Sequence, residues 1–307
     1  MKSHPRSEEE LLNLIAKELP LTGPEVLVGI GDDCAVVTNP KGKHSLSLLK
    51  TDALVEGIHF SPGTPFTHVG WKALCRPLSD IAAMGGTPNH ATITVAAPSD
   101  WGNKEWQALY RGIGKAAKRF GVGIVGGETV RLKTSTGPLF LSVAMTGSLP
   151  KTSLRLRSTG KPGDLLCVTG RLGGSFKSGR HLRFTPRLAE GQWLAAERGV
   201  TTMMDLSDGL GSDLPKLGRA SGCAFRVVPE LLPLHRGCTA SEAISDGEDY
   251  ELLLSITPRL WPELQSRWDK AFPEVALTVI GALLPSGEDS TPLPSGHDHL
   301  ASRKRTL

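Results

Sequence analysis

The sequence lacks the marks of several common protein classes. In its 307 residues no apolar run approaches the roughly 20 residues of a membrane span, and no hydrophobic signal-peptide region follows Met1. The five cysteines are odd in number, far apart and without a C-x-x-C pair, which argues against a disulfide framework or a zinc site. The net charge is only +4, so there is no electrostatic case for nucleic-acid binding. We therefore expect a cytoplasmic protein that binds neither membranes nor nucleic acid.

Two standard site motifs are also missing. There is no G-x-x-x-x-G-K-[ST] phosphate loop and no H-E-x-x-H zinc motif. Residues 121–126 match G-x-G-x-x-G, but they follow a predicted helix and lead into Gly127 and Glu128, whereas a dinucleotide fingerprint lies between a strand and a helix. The basic run 302–305 is short and terminal, and it fits a solvated tail. Any nucleotide chemistry must therefore use another arrangement.

What the sequence does contain is a succession of short apolar segments and amphipathic helices, divided by plentiful Gly (35) and Pro (22). In the first half, periodic apolar positions predict helices over residues 7–19, about 68–84 and about 103–120. The predicted strands of this half are Val26–Ile30, Leu46–Leu49, Ala91–Ala96, Gly123–Val125 and Leu139–Met145. In the second half we predict strands over 165–169, 224–228, 251–256 and 276–281, and helices over about 186–198, 209–221 and 258–270. The alternation indicates the α/β (α+β) class, with antiparallel pairing left open.

The amino-acid composition of the chain changes near residue 150. Residues 150–161 are basic and rich in turn formers, and the tripeptide 162–164 (Pro-Gly-Asp) leads into the next strand. We predict two domains, 1–150 and 151–307, which pack together because no long linker separates them.

Acidic residues recur where apolar segments end, flanked by Gly or Ser. A single acid in such a place is most simply the cap of a turn or of the next helix. Six such places are harder to explain in this way, since clustered carboxylates must be protonated, paired or neutralised by cations. Few Lys or Arg are close in sequence, Lys50 and Arg131 being the nearest, so metal ions are the simplest counter-charge. Oxygen ligands select hard ions such as Mg²⁺. The six segments are 28–33, 48–52, 77–80, 124–129, 203–209 and 245–251.

A carboxylate-rich magnesium site suits a ligand that carries phosphates. Carboxylates alone repel a polyphosphate, at about 4 kcal/mol for each pair of charges ~4 Å apart at an effective dielectric of 20. Magnesium turns this repulsion into attraction, because the ion binds one or two protein carboxylates and completes its coordination shell with phosphate oxygens and water. The pattern therefore predicts an enzyme that holds a nucleotide through metal ions.

The same segments resemble the thiamine-monophosphate kinase family. The match runs in order from about residue 25 to residue 281, and it implies a two-domain fold like that of aminoimidazole ribonucleotide synthetase. The family further implies a homodimer in which N-terminal strands form a barrel, and transfer of the ATP γ-phosphate to thiamine monophosphate with Mg²⁺. The motifs that carry the resemblance are G-I-G-D-D-C-A-V (29–36), T-D-A-L-V-E-G-I-H-F (51–60), L-S-D-I-A-A-M-G (78–85), G-G-E-T (126–129), D-L-S-D-G-L (205–210) and D-G-E-D-Y-E-L (246–252).

The resemblance also implies roles for individual residues, without any side-chain nucleophile. His59 and Glu248 would contact the thiamine substrate. The ATP contacts would be Tyr110, Gly127, Arg157 and Ser207. The metal ligands would be Asp32, Asp33, Thr51, Asp52, Asp80, Glu128, Asp205 and Asp208. Each of three residues has a plainer interpretation: His59 as a polar strand end, Tyr110 as core of its helix, and Arg157 as a solvated linker cation.

The chain departs from the family pattern at several positions. Glu128 stands where Asp is usual, and Lys50 stands where a small polar residue of the metal shell is usual, although its backbone carbonyl could still serve. Segment 169–186 is shorter than in typical members, which predicts a missing helix. The C-terminal aromatic residue that stacks on the substrate is replaced within 296–300, where His297 could stack instead. These departures leave two alternatives open: an ATP-using relative with another phosphate acceptor, or a nucleotide-binding relative without catalysis.

Overall fold

The computed structural model describes residues 7–19, 23–39, 42 and 44–297. The basic run 302–305 lies outside these residues. Within them, no helix has both the length and the apolar character that crossing a membrane requires.

The first half forms a six-stranded mixed sheet in the order β1-β2-β3-β6-β4-β5. All neighbouring strands are antiparallel except β4 and β5, which are parallel. The elements of this half are α1 (Glu8–Glu18), β1 (Val26–Val28), β2 (Ala35–Thr38), β3 (Ser45–Val55), α2 (Phe66–Ala83), β4 (Thr87–Ala97), α3 (Asn103–Phe120), β5 (Gly123–Arg131) and β6 (Phe140–Pro150).

Helix α2 is the central support of this half. It packs on β3 and β6, and α3 packs on α2. The two helices cross at glycines: a Cβ on Gly70 would lie 2.1 Å from the Leu109 carbonyl oxygen, and one on Gly112 would lie 2.1 Å from that of Thr67. Only glycine permits so close an approach of two backbones. The crossing fixes the beginning of α2, whose later turns carry functional side chains.

The second half forms a five-stranded antiparallel sheet in the order β8-β10-β7-β11-β9. Apolar clusters cover this sheet, one including Leu214 and Ile280 and another including Leu254 and Trp268. Its elements are β7 (Leu165–Thr169), α4 (Ser175–Ser178), α5 (Leu188–Ala196), β8 (Val200–Asp205), α6 (Leu210–Ser221), β9 (Ala224–Val227), α7 (Ala240–Ser245), β10 (Leu252–Ile256), α8 (Trp261–Ala271) and β11 (Leu277–Leu284).

The two halves pack on each other, as predicted. Helix α2 contacts α5 and β8 of the second half. At one contact between the halves, a Cβ on Gly191 would lie 2.2 Å from the Ala82 carbonyl oxygen. The first sheet ends at Pro150 and the second begins at Leu165, and the domain bounds 1–150 and 151–307 stay a prediction.

The predicted elements are largely confirmed, with two differences. Strands β3, β4, β5 and β6 run further than predicted, because paired neighbours supply their backbone hydrogen bonds across polar residues. Strand β2 is absent from the prediction. In segment 169–186 the structure has only the four-residue α4 and a 3₁₀ turn at Arg180–Leu182, in line with the missing helix.

Candidate active site

Three aspartates from both halves meet where α2 passes the second sheet. Asp33 follows β1, Asp80 lies in the last turn of α2, and Asp205 ends β8. All three are buried, and one carboxylate oxygen of each lies within 4.8 Å of the others. Residues that are far apart in sequence are therefore brought into one group, which we call the aspartate cluster.

Burial makes the charged form of this cluster costly. Desolvation first, and the neighbouring Asp33 carboxylate next, raise the pKa of Asp205 to about 7 and that of Asp32 to about 6. Burial likewise raises the pKa of Asp80 well above its ordinary value, with Asp52, Asp205 and Asp33 adding to the rise. Carboxylates this close to one another need positive charge to remain ionised at neutral pH.

Part of that positive charge comes from side chains. The Lys50 Nζ atom lies 2.6 Å from Asp80, and the Arg157 guanidinium lies 2.5 Å from Asp33. The Arg157 backbone N–H donates to Asp32, and the Ser79 hydroxyl donates to Asp205 at 2.7 Å. Four carboxylates thus face two cationic groups, and the oxygen-only donor set fits a hard divalent cation such as Mg²⁺.

The expectation that few cations lie beside the acids is therefore wrong. Arg157 reaches Asp33 across more than a hundred residues of sequence, which also rules out its interpretation as a solvated linker cation. Two further pairs follow the same principle: Arg76 with Asp52 at 3.3 Å and Lys216 with Asp208 at 2.6 Å. The side chain of Lys50, for which only a backbone role was expected, pairs with Asp80. Sequence neighbours could not reveal these pairs, because the chain fold creates them.

Two of the predicted ligands do not stand at strand ends. Asp52 lies inside β3 and Glu128 lies inside β5. Asp52 is close enough to raise the pKa of Asp80, whereas Glu128 and Thr51 are exposed and lie outside the aspartate cluster. The structure thus brings the predicted ligands together in part.

The predicted ATP contacts occupy different surroundings. Tyr110 is 40% exposed on α3, which rules out its interpretation as a core residue. Gly127 lies against β4, where a Cβ would come within 2.0 Å of the Ile93 carbonyl oxygen, so only glycine fits there. Ser207 follows β8 and its N–H donates to the buried Asp213 carboxylate at 3.0 Å. Asp208 donates to the same carboxylate, so Asp213 orders the turn that carries both residues.

Beside the aspartate cluster lies a cleft of about 710 Å³, which we call the acceptor cleft. The predicted substrate residues all line it. His59 is buried, with its Nδ1 atom accepting a hydrogen bond from the Val55 N–H, which fixes the ring. The His297 backbone N–H donates to the Asp208 carbonyl, which ties the C-terminal segment to the turn after β8. The lining residues with polar or aromatic side chains are His59, Arg76, Phe176, Lys177, Ser207, Asp208, Glu242, Ser245, Asp246, Glu248, Tyr250 and His297.

Sequence reasoning missed several residues of this region. Phe176 is 51% exposed in the cleft wall, and its ring stacks on His181 with centroids 4.3 Å apart. Lys72 and Arg76 precede Asp80 at intervals of four residues on α2, and all three face the site. Charged residues at helical spacing within an apolar helix are a signal that could have found them.

Comparison with known proteins identifies similar chains along most of the length. A family model described as AIR synthase related protein, N-terminal domain, matches residues 31–149. The thiamine-monophosphate kinase of Rhodopirellula baltica is 38% identical over 251 residues, which cover 76% of this chain and 78% of the relative. That of Bacillus subtilis is 32% identical over 268 residues, covering 78% and 80%.

A solved structure agrees with these matches. The structure described as AaThiL complexed with AMPPCP and TMP superposes with a TM-score of 0.81 at 28% identity, covering 97% of this chain and 99% of the other. The predicted fold class is thereby confirmed.

Proposed function

Because this chain belongs to the thiamine-monophosphate kinase family, we propose that it transfers the γ-phosphate of ATP to the phosphate of thiamine monophosphate, giving thiamine diphosphate. The observation that carries the proposal is the aspartate cluster beside the acceptor cleft, formed by Asp33, Asp80 and Asp205. Phosphoryl transfer depends mainly on positioning and charge neutralisation, which such an arrangement supplies.

The proposed cofactor is Mg²⁺, held by the aspartates and by neighbouring oxygen ligands. Its chemistry when bound is to neutralise phosphate charge and to hold the two anionic reactants in line. The fit of the site is supported by buried carboxylates that outnumber their cationic partners. The proposed ligands are Asp32, Asp33, Thr51, Asp52, Asp80, Glu128, Asp205 and Asp208, with the backbone carbonyl of Lys50.

The protein groups themselves bind and orient the reactants. The acceptor is already an anionic phosphate oxygen, so the reaction needs neither a side-chain nucleophile nor a strong general base. Arg157, which hydrogen-bonds to Asp32 and Asp33, and Ser207 are proposed contacts to the ATP phosphates. Tyr110 and Gly127 are the other proposed ATP contacts.

The acceptor cleft is the proposed site for thiamine monophosphate. His59 and Glu248 contact the substrate, and the Glu248 carboxylate complements the positive thiazolium ring. Two rings line the cleft and are placed to stack on the heteroaromatic part of the substrate, Phe176 and His297.

A homodimer is the proposed assembly, with N-terminal strands of two copies forming a barrel. Strand β5 is exposed along almost all of its length, and apolar Leu49, Ile124 and Val125 are exposed on this sheet. A second copy would cover these side chains. The proposed location is the cytoplasm, which is supported by cysteines that are free in the structure.

The experiment is a turnover assay with ATP, Mg²⁺ and thiamine monophosphate, in which formation of thiamine diphosphate is measured directly. A folded protein that makes no thiamine diphosphate would contradict the proposal. A panel of other phosphorylated acceptors then tests for a relative with another substrate. Calorimetry that detects Mg-ATP binding without turnover of any acceptor would support a non-catalytic nucleotide-binding protein.

A further inference from the structure

Lys72 is a fully buried lysine behind the acceptor cleft, bonded to two residues that line it. Its side chain, on α2, has 0% exposure. A buried ammonium group is costly unless it is paired and hydrogen-bonded, so its partners define its role. The Nζ atom donates to the His59 carbonyl oxygen at 2.6 Å and to the Glu248 carboxylate at 2.5 Å.

These two partners come from opposite halves of the molecule. His59 follows β3 in the first half, and Glu248 lies between α7 and β10 in the second. Lys72 therefore joins the two walls of the cleft from behind, through one backbone carbonyl and one side-chain carboxylate.

The Glu248 segment has an unusual backbone that requires support. Glu248 has a φ of 64°, in the left-handed region that non-glycine residues rarely adopt. Its backbone is held by the Ser207 carbonyl, which accepts from its N–H at 2.7 Å, and by the Ser175 hydroxyl, which donates to its carbonyl at 2.7 Å. These bonds fix the main chain but leave the direction of the carboxylate to be set by Lys72.

We propose that Lys72 is a positioning residue for the phosphate acceptor, which aims the Glu248 carboxylate into the cleft and holds the His59 segment against it. The inference rests on the proposed function, because it takes Glu248 and His59 as substrate contacts. Burial lowers the pKa of Lys72 to about 8 and the Glu248 carboxylate acts against this, so the ammonium form that makes both bonds is present at neutral pH.

The test compares the variants Lys72→Met, Glu248→Gln and the double variant with the wild type. Methionine keeps an unbranched side chain, one heavy atom shorter than that of lysine, and removes the charge. We expect Lys72→Met to raise KM for thiamine monophosphate at least about tenfold, which corresponds to about 1.4 kcal/mol, and to leave KM for ATP within about twofold. In the Glu248→Gln background the same substitution should add less than about twofold, since Lys72 acts through Glu248.

A matched control separates positioning from general loss of stability. Arg187→Met removes a partly buried ion pair, that of Arg187 with Glu251, and neither residue lines the acceptor cleft. We expect it to lower the melting temperature while KM for thiamine monophosphate stays within about twofold.

Each outcome has a distinct meaning. No thiamine diphosphate from the wild type would overturn the proposed function, and an unchanged KM in Glu248→Gln would overturn the role of Glu248. If Glu248→Gln raises KM but folded Lys72→Met does not, the positioning role is wrong. Fully additive effects in the double variant, or equal rises in KM for both substrates, would also overturn it.

Discussion

Helix α2 contributes to both the aspartate cluster, through Asp80, and the acceptor cleft, through Arg76, but the two are built differently. In the cluster, buried carboxylates from both halves lie within 4.8 Å of one another, and their surplus charge limits which ligands fit. In the cleft, the buried His59 lies among more exposed groups such as Phe176, and the buried Lys72 pairs with Glu248 from behind. On the proposed function, we expect phosphate handling to depend on closely packed buried charges, and the choice of acceptor to depend on a few side chains at a more open surface.

The largest expected effect comes from removing one carboxylate of the cluster. Asp205→Asn keeps the shape and can still accept from Ser79, but it removes a negative charge. We expect turnover to fall by roughly 10²–10³-fold, as for loss of one preorganised electrostatic group. The melting temperature without Mg²⁺ should stay equal or rise, because repulsion with Asp33 is relieved, while the stabilisation by added Mg²⁺ shrinks.

Turnover assays measure the predicted loss of activity, and thermal melts with and without Mg²⁺ measure the predicted changes in stability. Asp289→Asn, at an exposed position, is the matched control and should change neither. Near-normal turnover of folded Asp205→Asn would show that the cluster is not the phosphate-handling site.

An effect of intermediate size concerns Asp249, a buried acid outside the cluster. Burial raises its pKa to about 7, with the Gly173 N–H and Arg180 acting against the rise. The folded state then holds a proton that the unfolded state has lost, so stability falls as pH rises from about 4 to about 7. At about 1.36 kcal/mol per pKa unit, the effect is on the order of a few kcal/mol at pH 8.

Asp249→Asn removes this titration and should gain stability relative to the wild type between pH 5 and pH 8. Denaturant unfolding at both pH values measures the change, and added Mg²⁺ should leave this difference in place. Parallel pH profiles for the two proteins would contradict the raised pKa. A Mg²⁺-sensitive difference would extend the metal site beyond the aspartate cluster.

The smallest expected effect separates the two rings of the acceptor cleft. Phe176→Leu keeps apolar bulk without a ring, and we expect KM for thiamine monophosphate to rise roughly three- to tenfold, the range of one aromatic stacking contact. His297→Ala should raise it less, because His181 backs the Phe176 ring and holds it rigid. KM for ATP serves as the internal control. A larger effect at His297 would assign the stacking ring to the C-terminal segment.

Particular residues show how much of the fold and of the site could be predicted from the sequence. Periodicity was sufficient for α2 and α3, and motif spacing indicated Asp33, Asp80 and Asp205 as parts of one site. Pairing of Arg157 with Asp33 depends on the packing of the two halves, which no local pattern encodes.

Other limits have other physical causes. Asp52 and Glu128 were placed at strand ends because polar residues usually end apolar runs, yet pairing partners let β3 and β5 continue through them. In the sequence, Lys72 is indistinguishable from a solvent-exposed polar residue of a helix. Its burial could not be predicted, because it depends on the contact with Glu248 that the fold creates.

Helix α2 also sets the distance between the acceptor cleft and the aspartate cluster. Lys72, behind the acceptor cleft, and Asp80, in the aspartate cluster, are eight residues apart, which is about 12 Å along a helix axis at about 1.5 Å per residue. The crossing at Gly70 and Gly112 prevents the helix from sliding. We therefore expect turnover to depend on the distance between the ring and the phosphate of the acceptor. Phosphorylated rings with a longer or shorter arm between the two should lose turnover in the acceptor panel.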